Sequence, residues 1–230
     1  MKHRLLFCLI PLWPIALSGQ NAADYNLFMD AAVIHSAVFK GAFPTRFGFR
    51  TSHDGSTFFA YSANFESGTL VFRGKPYTNM LLNLNAQMDE LYVQEPTHGI
   101  PVVVNKHFVD SFTMGKRRFI RHEPEGNSPL KEGYYEVVYS GGCILLKKIQ
   151  KQLKEDTGSG NRVTRRYILL ETFYVQKNDR WHRVNNKADM TRLFPEQRKT
   201  INRTVRTKAL DFRNNKEISF IEMLTHMDSL

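Results

Sequence analysis

From about Ser67 onward the chain alternates apolar and polar residues in short runs separated by turn formers. Leu82-Asn83-Leu84-Asn85 and Phe119-Ile120-Arg121-His122 show the period of two that half-buried strands require. The pattern predicts strands at 69–72, 79–85, 90–94, 100–104, 107–114, 117–122, 134–139, 143–148, 167–176 and 180–184. Arg73-Gly74-Lys75, Ser140-Gly141-Gly142 and Lys177-Asn178-Asp179 are the clearest turns between them. Turns spaced about 8–12 residues apart suit an antiparallel meander with one face in a core and one in water. Residues 151–161 are polar and contain Gly158-Ser159-Gly160, which predicts a mobile loop.

The periodicity changes after Asn185. Asn186 can cap a short helix running through Phe194, and Pro195 suits the first turn of the next. Ile201 and Val205 lie four residues apart on that second helix. Ile218, Ile221, Leu224 and Met227 form an apolar stripe over 217–227, whose simplest use is docking onto the sheet. The expected fold is therefore α+β: an antiparallel meander over about 67–184, a curved sheet or half-open barrel, closed by helices over about 186–228. Residues 27–38 fit either helix or strand, and 41–67 read as loop with short strands embedded.

Residues 1–20 carry a different pattern. Lys2, His3 and Arg4 precede an uncharged apolar run from Leu5 to Leu17, and Ala16-Leu17-Ser18 supplies small residues at its end. This is the layout of a secretory signal peptide, with cleavage after Ser18 or Gln20. A membrane anchor would need about 20 apolar residues, and this run is shorter and broken by Pro11 and Pro14. Cys8 follows Phe7, where a lipidation motif would place a small residue. The expected product is one exported α+β domain over 21–230, periplasmic or extracellular, with no transmembrane segment. It retains one cysteine, Cys143, which reads as a small buried hydrophobe.

Composition adds little until charge is placed along the chain. Of 230 residues, 32 are Lys or Arg and 22 Asp or Glu. Residues 21–145 carry 11 basic and 12 acidic side chains, whereas 177–216 carry 12 against 4. Two basic clusters stand out: Lys147, Lys148, Lys151 and Lys154, then Arg198, Lys199, Arg203, Arg206 and Lys208 on a predicted helix. These nine side chains are the candidate contact to an anionic surface. Nucleic acid is not expected for an exported chain, so anionic lipid head groups, acidic glycans or an envelope protein are the partners that fit.

Catalytic signatures and metal-ligand spacings are missing from the sequence, and no cofactor is expected. An enzyme would need two or more of His107, His122, Asp110 and Glu136 to converge in one pocket. Asp89-Glu90 reads as a solvent-exposed pair, and the sequon Asn202-Arg203-Thr204 falls inside a predicted helix. Phe43, Phe47, Phe49, Phe58, Phe59, Tyr61 and Phe65 suit core filling better than an exposed stacking platform.

Gly133-Tyr134-Tyr135-Glu136-Val137-Val138-Tyr139-Ser140-Gly141-Gly142, followed by Leu145-Leu146-Lys147-Lys148, resembles a recurring hairpin of the type GYYEVLYDG with a basic return strand. Phe72-Arg73-Gly74-Lys75-Pro76-Tyr77-Thr78-Asn79 and Met190-Thr191-Arg192-Leu193-Phe194-Pro195 resemble further motifs of the same group. That group is a set of uncharacterised secreted proteins common in Bacteroidetes. The resemblance covers about 65–225 and implies an exported envelope protein without naming any catalytic residue. The expected role is binding or interaction without catalysis, the alternative being a carrier that encloses a lipid or other apolar ligand in the curved sheet. N-terminal sequencing of exported material should begin at Gly19 or Asn21; a membrane-bound product still starting at Met1 would contradict the signal reading.

Overall fold

The computed structural model describes residues 37–44, 56–59, 64–124, 126, 128–157 and 163–229. The expected signal segment, Cys8, Phe47, Phe49 and Tyr61 lie outside them. Ten strands make one antiparallel sheet: β1 Glu66–Phe72, β2 Lys75–Asn85, β3 Glu90–Gln94, β4 Pro101–Val103, β5 Val109–Met114, β6 Arg117–His122, β7 Gly133–Ser140, β8 Ile144–Thr157, β9 Val163–Lys177 and β10 Arg180–Val184. Their order is β10-β9-β8-β7-β6-β5-β1-β2-β3-β4, so the meander is interrupted once, where β5 pairs with β1. Helices α1 (Lys187–Leu193), α2 (Arg198–Thr207) and α3 (Lys216–Asp228) follow. The fold class is the expected one, with the sheet curved and not closed.

Local chemistry sets the hairpins. Arg73 and Gly74 both have positive φ, as do Asn178 and Asp179, and each pair forms a two-residue turn whose twist matches its strands. Asn186 caps α1 by accepting the Asp189 N–H at 3.1 Å. One expectation fails here. Residues 151–157 are not loop but the outer half of β8, paired with β9 from Lys151↔Leu169 to Thr157↔Val163.

One core fills the inner face of the curved sheet. Leu70, Phe72, Leu82, Leu84, Val93, Phe112, Phe119 and Tyr134 belong to it, and so does Ile149 of β8. Phe112 stacks on Phe119 with centroids 4.8 Å apart, and Tyr134 meets Phe112 edge-on at 5.2 Å. Phe58 and Phe59 are buried, as core filling requires, whereas Phe43 is 72% exposed. A second core lies where α1–α3 cover the β8–β10 end: Leu145, Phe173 and Val175 against Met190, Ile201, Phe220, Met223 and Leu224. The α3 stripe is rotated from the expected one. Leu224 and Met227 are buried, but Ile218 is 61% exposed and Phe220 and Met223 take its place.

β8 and β2 stand third and eighth in the strand order, yet they touch. The Lys151 N–H donates to the Ala86 carbonyl at 3.0 Å, just past the end of β2. Asp89, in the same β2–β3 turn with φ +56°, fixes this approach. Its carboxylate accepts from Lys148 Nζ at 2.6 Å, Lys106 Nζ at 2.9 Å and the Tyr134 N–H at 3.4 Å. Lys148 also donates to the Tyr134 carbonyl at 3.0 Å. Asp89 is thus a clasp across the curl of the sheet, not the solvent-exposed carboxylate its sequence context predicts.

Gly133 makes room for it. At φ +143° it sits where a Cβ would come within 2.2 Å of Asp89 Oδ2 and 2.4 Å of Lys148 Nζ. Gly133→Ala should therefore cost about 3 kcal/mol of unfolding free energy, because it displaces a mostly buried ion pair. Gly126→Ala is the control: φ is also positive (+54°), but nothing lies within 4 Å. Urea midpoints at unchanged slope compare them, and equal losses for the two variants would contradict the clasp.

Candidate anion-binding face

The two basic clusters have opposite fates. In the first, Lys147 is 2% exposed, Lys148 7% and Lys151 3%. None of the three is available to a surface partner. Lys147 Nζ lies 2.8 Å from Glu136 and 2.5 Å from Glu217 of α3, and Arg117 approaches Glu136 at 3.5 Å. This ion-pair chain joins β6, β7 and β8 to the last helix. Lys148 serves the Asp89 clasp. For Lys147 and Lys148 the physical reason is cost: a buried ammonium is stabilised by pairing, and these carboxylates pair it. Lys154 is exposed, but it sits nine residues beyond Leu145 on the β8–β9 ribbon, roughly 30 Å along the strand. It does not join the helical cluster.

Arg198, Lys199, Arg203, Arg206 and Lys208 are all exposed. α2 turns about 100° per residue, which puts Lys199, Asn202, Arg203 and Arg206 on one stripe. Ile201 and Thr204, both buried, lie half a turn away. Lys199, Asn202, Arg203, Arg206 and Thr207 line an open depression of about 460 Å³. The sequon falls here too, with Thr204 inside the packing face of the helix.

Two neighbouring lysines are compensated. Lys208 pairs with Glu222 of α3. Lys177 holds Glu196 at 3.0 Å and donates to the Leu193 carbonyl at 2.6 Å, satisfying the end of α1. Among the described residues, Arg198, Lys199, Arg203 and Arg206 have no ion pair. Two of them open α2, whose first turn has no acidic residue and whose N-cap makes no side-chain bond. That placement opposes the helix dipole and leaves positive potential at the surface.

A second depression, of about 540 Å³, opens between the β9–β10 turn and the end of α1. Lys177, Asn178, Arg180, His182, Arg192 and Pro195 line it. The sequence counts these charges within 177–216 but gives no sign that a turn and a helix end would share a hollow.

Other candidates are placed elsewhere. Glu136 is buried with Lys147, on the face of β7 that carries Tyr134. His122 projects from the opposite face, edge-on to the Tyr135 ring at 6.0 Å. Asp110 is exposed and accepts the Gly74 N–H at 2.7 Å, and His107 is exposed beside Phe108. The structure does not assemble these four into one pocket. Among the described residues no group of three or more His, Cys, Asp or Glu could hold a metal ion. Burial, helped by Asp228, pushes the Cys143 thiol up to about 11, away from reactivity. Asp228 itself accepts from the Tyr139 hydroxyl and, at 2.6 Å, from the Gly142 N–H, pinning the end of α3 to the β7–β8 turn. No described helix is long and apolar enough to cross a membrane.

No family profile, curated protein or solved structure matches the chain.

Burial pulls the Lys151 amine down to about 8. Its ordinary value in an unfolded chain is about 10.4, so the unfolded state binds more protons between those values and stability rises with pH across them. The wild type should gain about 2 kcal/mol relative to Lys151→Met between about pH 7 and about pH 10. Tyrosine ionisation affects both proteins and cancels in the difference. A difference that stays flat with pH would contradict the burial of a charged amine.

Proposed function

We propose that this chain is an exported cell-envelope protein of the Bacteroidetes type that binds an anionic surface or ligand without catalysing a reaction. The export assignment rests on the pattern of residues 1–20, and the lineage on the hairpin and turn motifs. The binding assignment rests on one observation: Lys199, Arg203 and Arg206 form a stripe opposite the buried side of α2 that has no ion pair among the described residues. Two flanking lysines, Lys177 and Lys208, have carboxylate partners, whereas the stripe has none among the described residues. Acidic glycans and anionic lipid head groups share the chemistry it fits, phosphate, sulfate or carboxylate presented from outside. Arg contributes forked donors suited to such groups, and Lys a point charge.

The triple variant Lys199→Glu/Arg203→Glu/Arg206→Glu changes only exposed positions, so far-UV circular dichroism should match the wild type. Its binding to anionic vesicles and to an acidic polysaccharide at low salt should fall about 100-fold or more. Wild-type binding should weaken as salt rises. Equal binding by variant and wild type, or indifference to salt, would overturn the proposal.

A further inference from the structure

We infer that the ligand is a linear acidic polysaccharide lying across both depressions, an assignment that rests on the anion-binding reading and narrows it. Three observations carry it. First, the apolar side of α2 is already committed, with Ile201 packed in the second core beside Phe220 and Met223. A helix that lies in a bilayer interface needs that side free to enter the acyl region. The positions interleaved with the cations, Asn202 and Thr207, are polar and offer hydrogen bonds, not insertion.

Second, the cations line two open depressions. Lys199 and Arg206 are separated by about 10 Å along the helix axis, which spreads charge along a line. Third, the hollow at the β9–β10 turn repeats the chemistry of the first: among the described residues Arg180 has no ion pair, and Arg192 meets Asp189 only at 3.7 Å with its side chain 81% exposed. Pro195 borders that hollow and Lys199 the other, a separation of roughly 7 Å through a 3-10 turn into α2. Neutral polar side chains, Asn178 in one hollow and Asn202 in the other, suit the hydroxyls between acidic groups. A polymer with a charge on successive sugars engages both hollows with one chain, and each adds to the other through effective concentration.

The test is a ladder of galacturonate oligomers titrated into the full exported chain by calorimetry at low salt, with anionic phospholipid vesicles as the parallel probe. Affinity should climb with oligomer length and then level off, the long oligomers binding about 100-fold tighter than the dimer. Arg203→Glu should weaken every length. Arg180→Glu, in the second hollow, should leave the dimer unaffected and remove most of the gain with length. A ladder flat in length, an Arg180→Glu variant with the wild-type length dependence, or binding to vesicles but not to the oligomers overturns the polysaccharide assignment alone. Failure to bind oligomers and vesicles alike overturns the anion-binding reading with it.

Discussion

The carboxylate of Asp89 holds together two parts of the sheet that the strand order keeps far apart. It receives two ammonium groups and one backbone N–H from β7, β8 and the segment before β5. A sheet of this length twists and coils on its own, but twist alone does not decide where one end meets the other. The clasp decides it, and the Lys151–Ala86 hydrogen bond follows along the same seam. The inner core is enclosed as a result, since Ile149 of β8 must reach the side chains of β2 and β3. The base of the β8–β9 hairpin is fixed in the same step, and on that base the helices rest.

A second set of ion pairs carries this order outward. Lys147 connects Glu136 in the sheet to Glu217 at the start of α3, and Asp228 ties the other end of that helix to the β7–β8 turn. α3 in turn supports α2 through the second core and through the Lys208–Glu222 pair. The basic stripe is therefore presented by a helix whose opposite side and far end are both anchored. Internal pairing also decides which charges remain for a partner. Lys147, Lys148 and Lys151 of β8 are consumed inside, whereas the cations of α2 and the adjoining turn stay exposed.

Much of the architecture is legible in the chain. Period-two alternation locates the strands from β1 to β7, and Asn186 and Pro195 mark the first two helical starts, because these signals are local. The outer half of β8 is hidden for a physical reason. Gln150, Gln152 and Lys154 share the exposed face, and on the other face a lysine, Lys151, takes a buried position, so no apolar alternation marks the segment and it looks like loop. The inward turn of Lys147 and Lys148 is equally invisible, since their partners Glu217 and Asp89 lie 70 and 59 residues away. A run of lysines reads as a surface unless those carboxylates are known to face it. Gly133 is the one local trace: a glycine opening a strand, where no turn demands it, marks a close approach. The α2 stripe is legible because helix periodicity separates Ile201 from Arg203 and Arg206 without reference to anything distant.

Asp89 and Lys148 act as one unit to set the curl of the sheet. A double-mutant cycle of Asp89→Ala and Lys148→Met, read from urea unfolding, measures that coupling directly. Each single variant should lose about 3 kcal/mol or more, and the double variant should lose about 2 kcal/mol less than the sum, because the buried partner is no longer stranded. Additive losses would show that the two residues act independently and that no such clasp sets the curl.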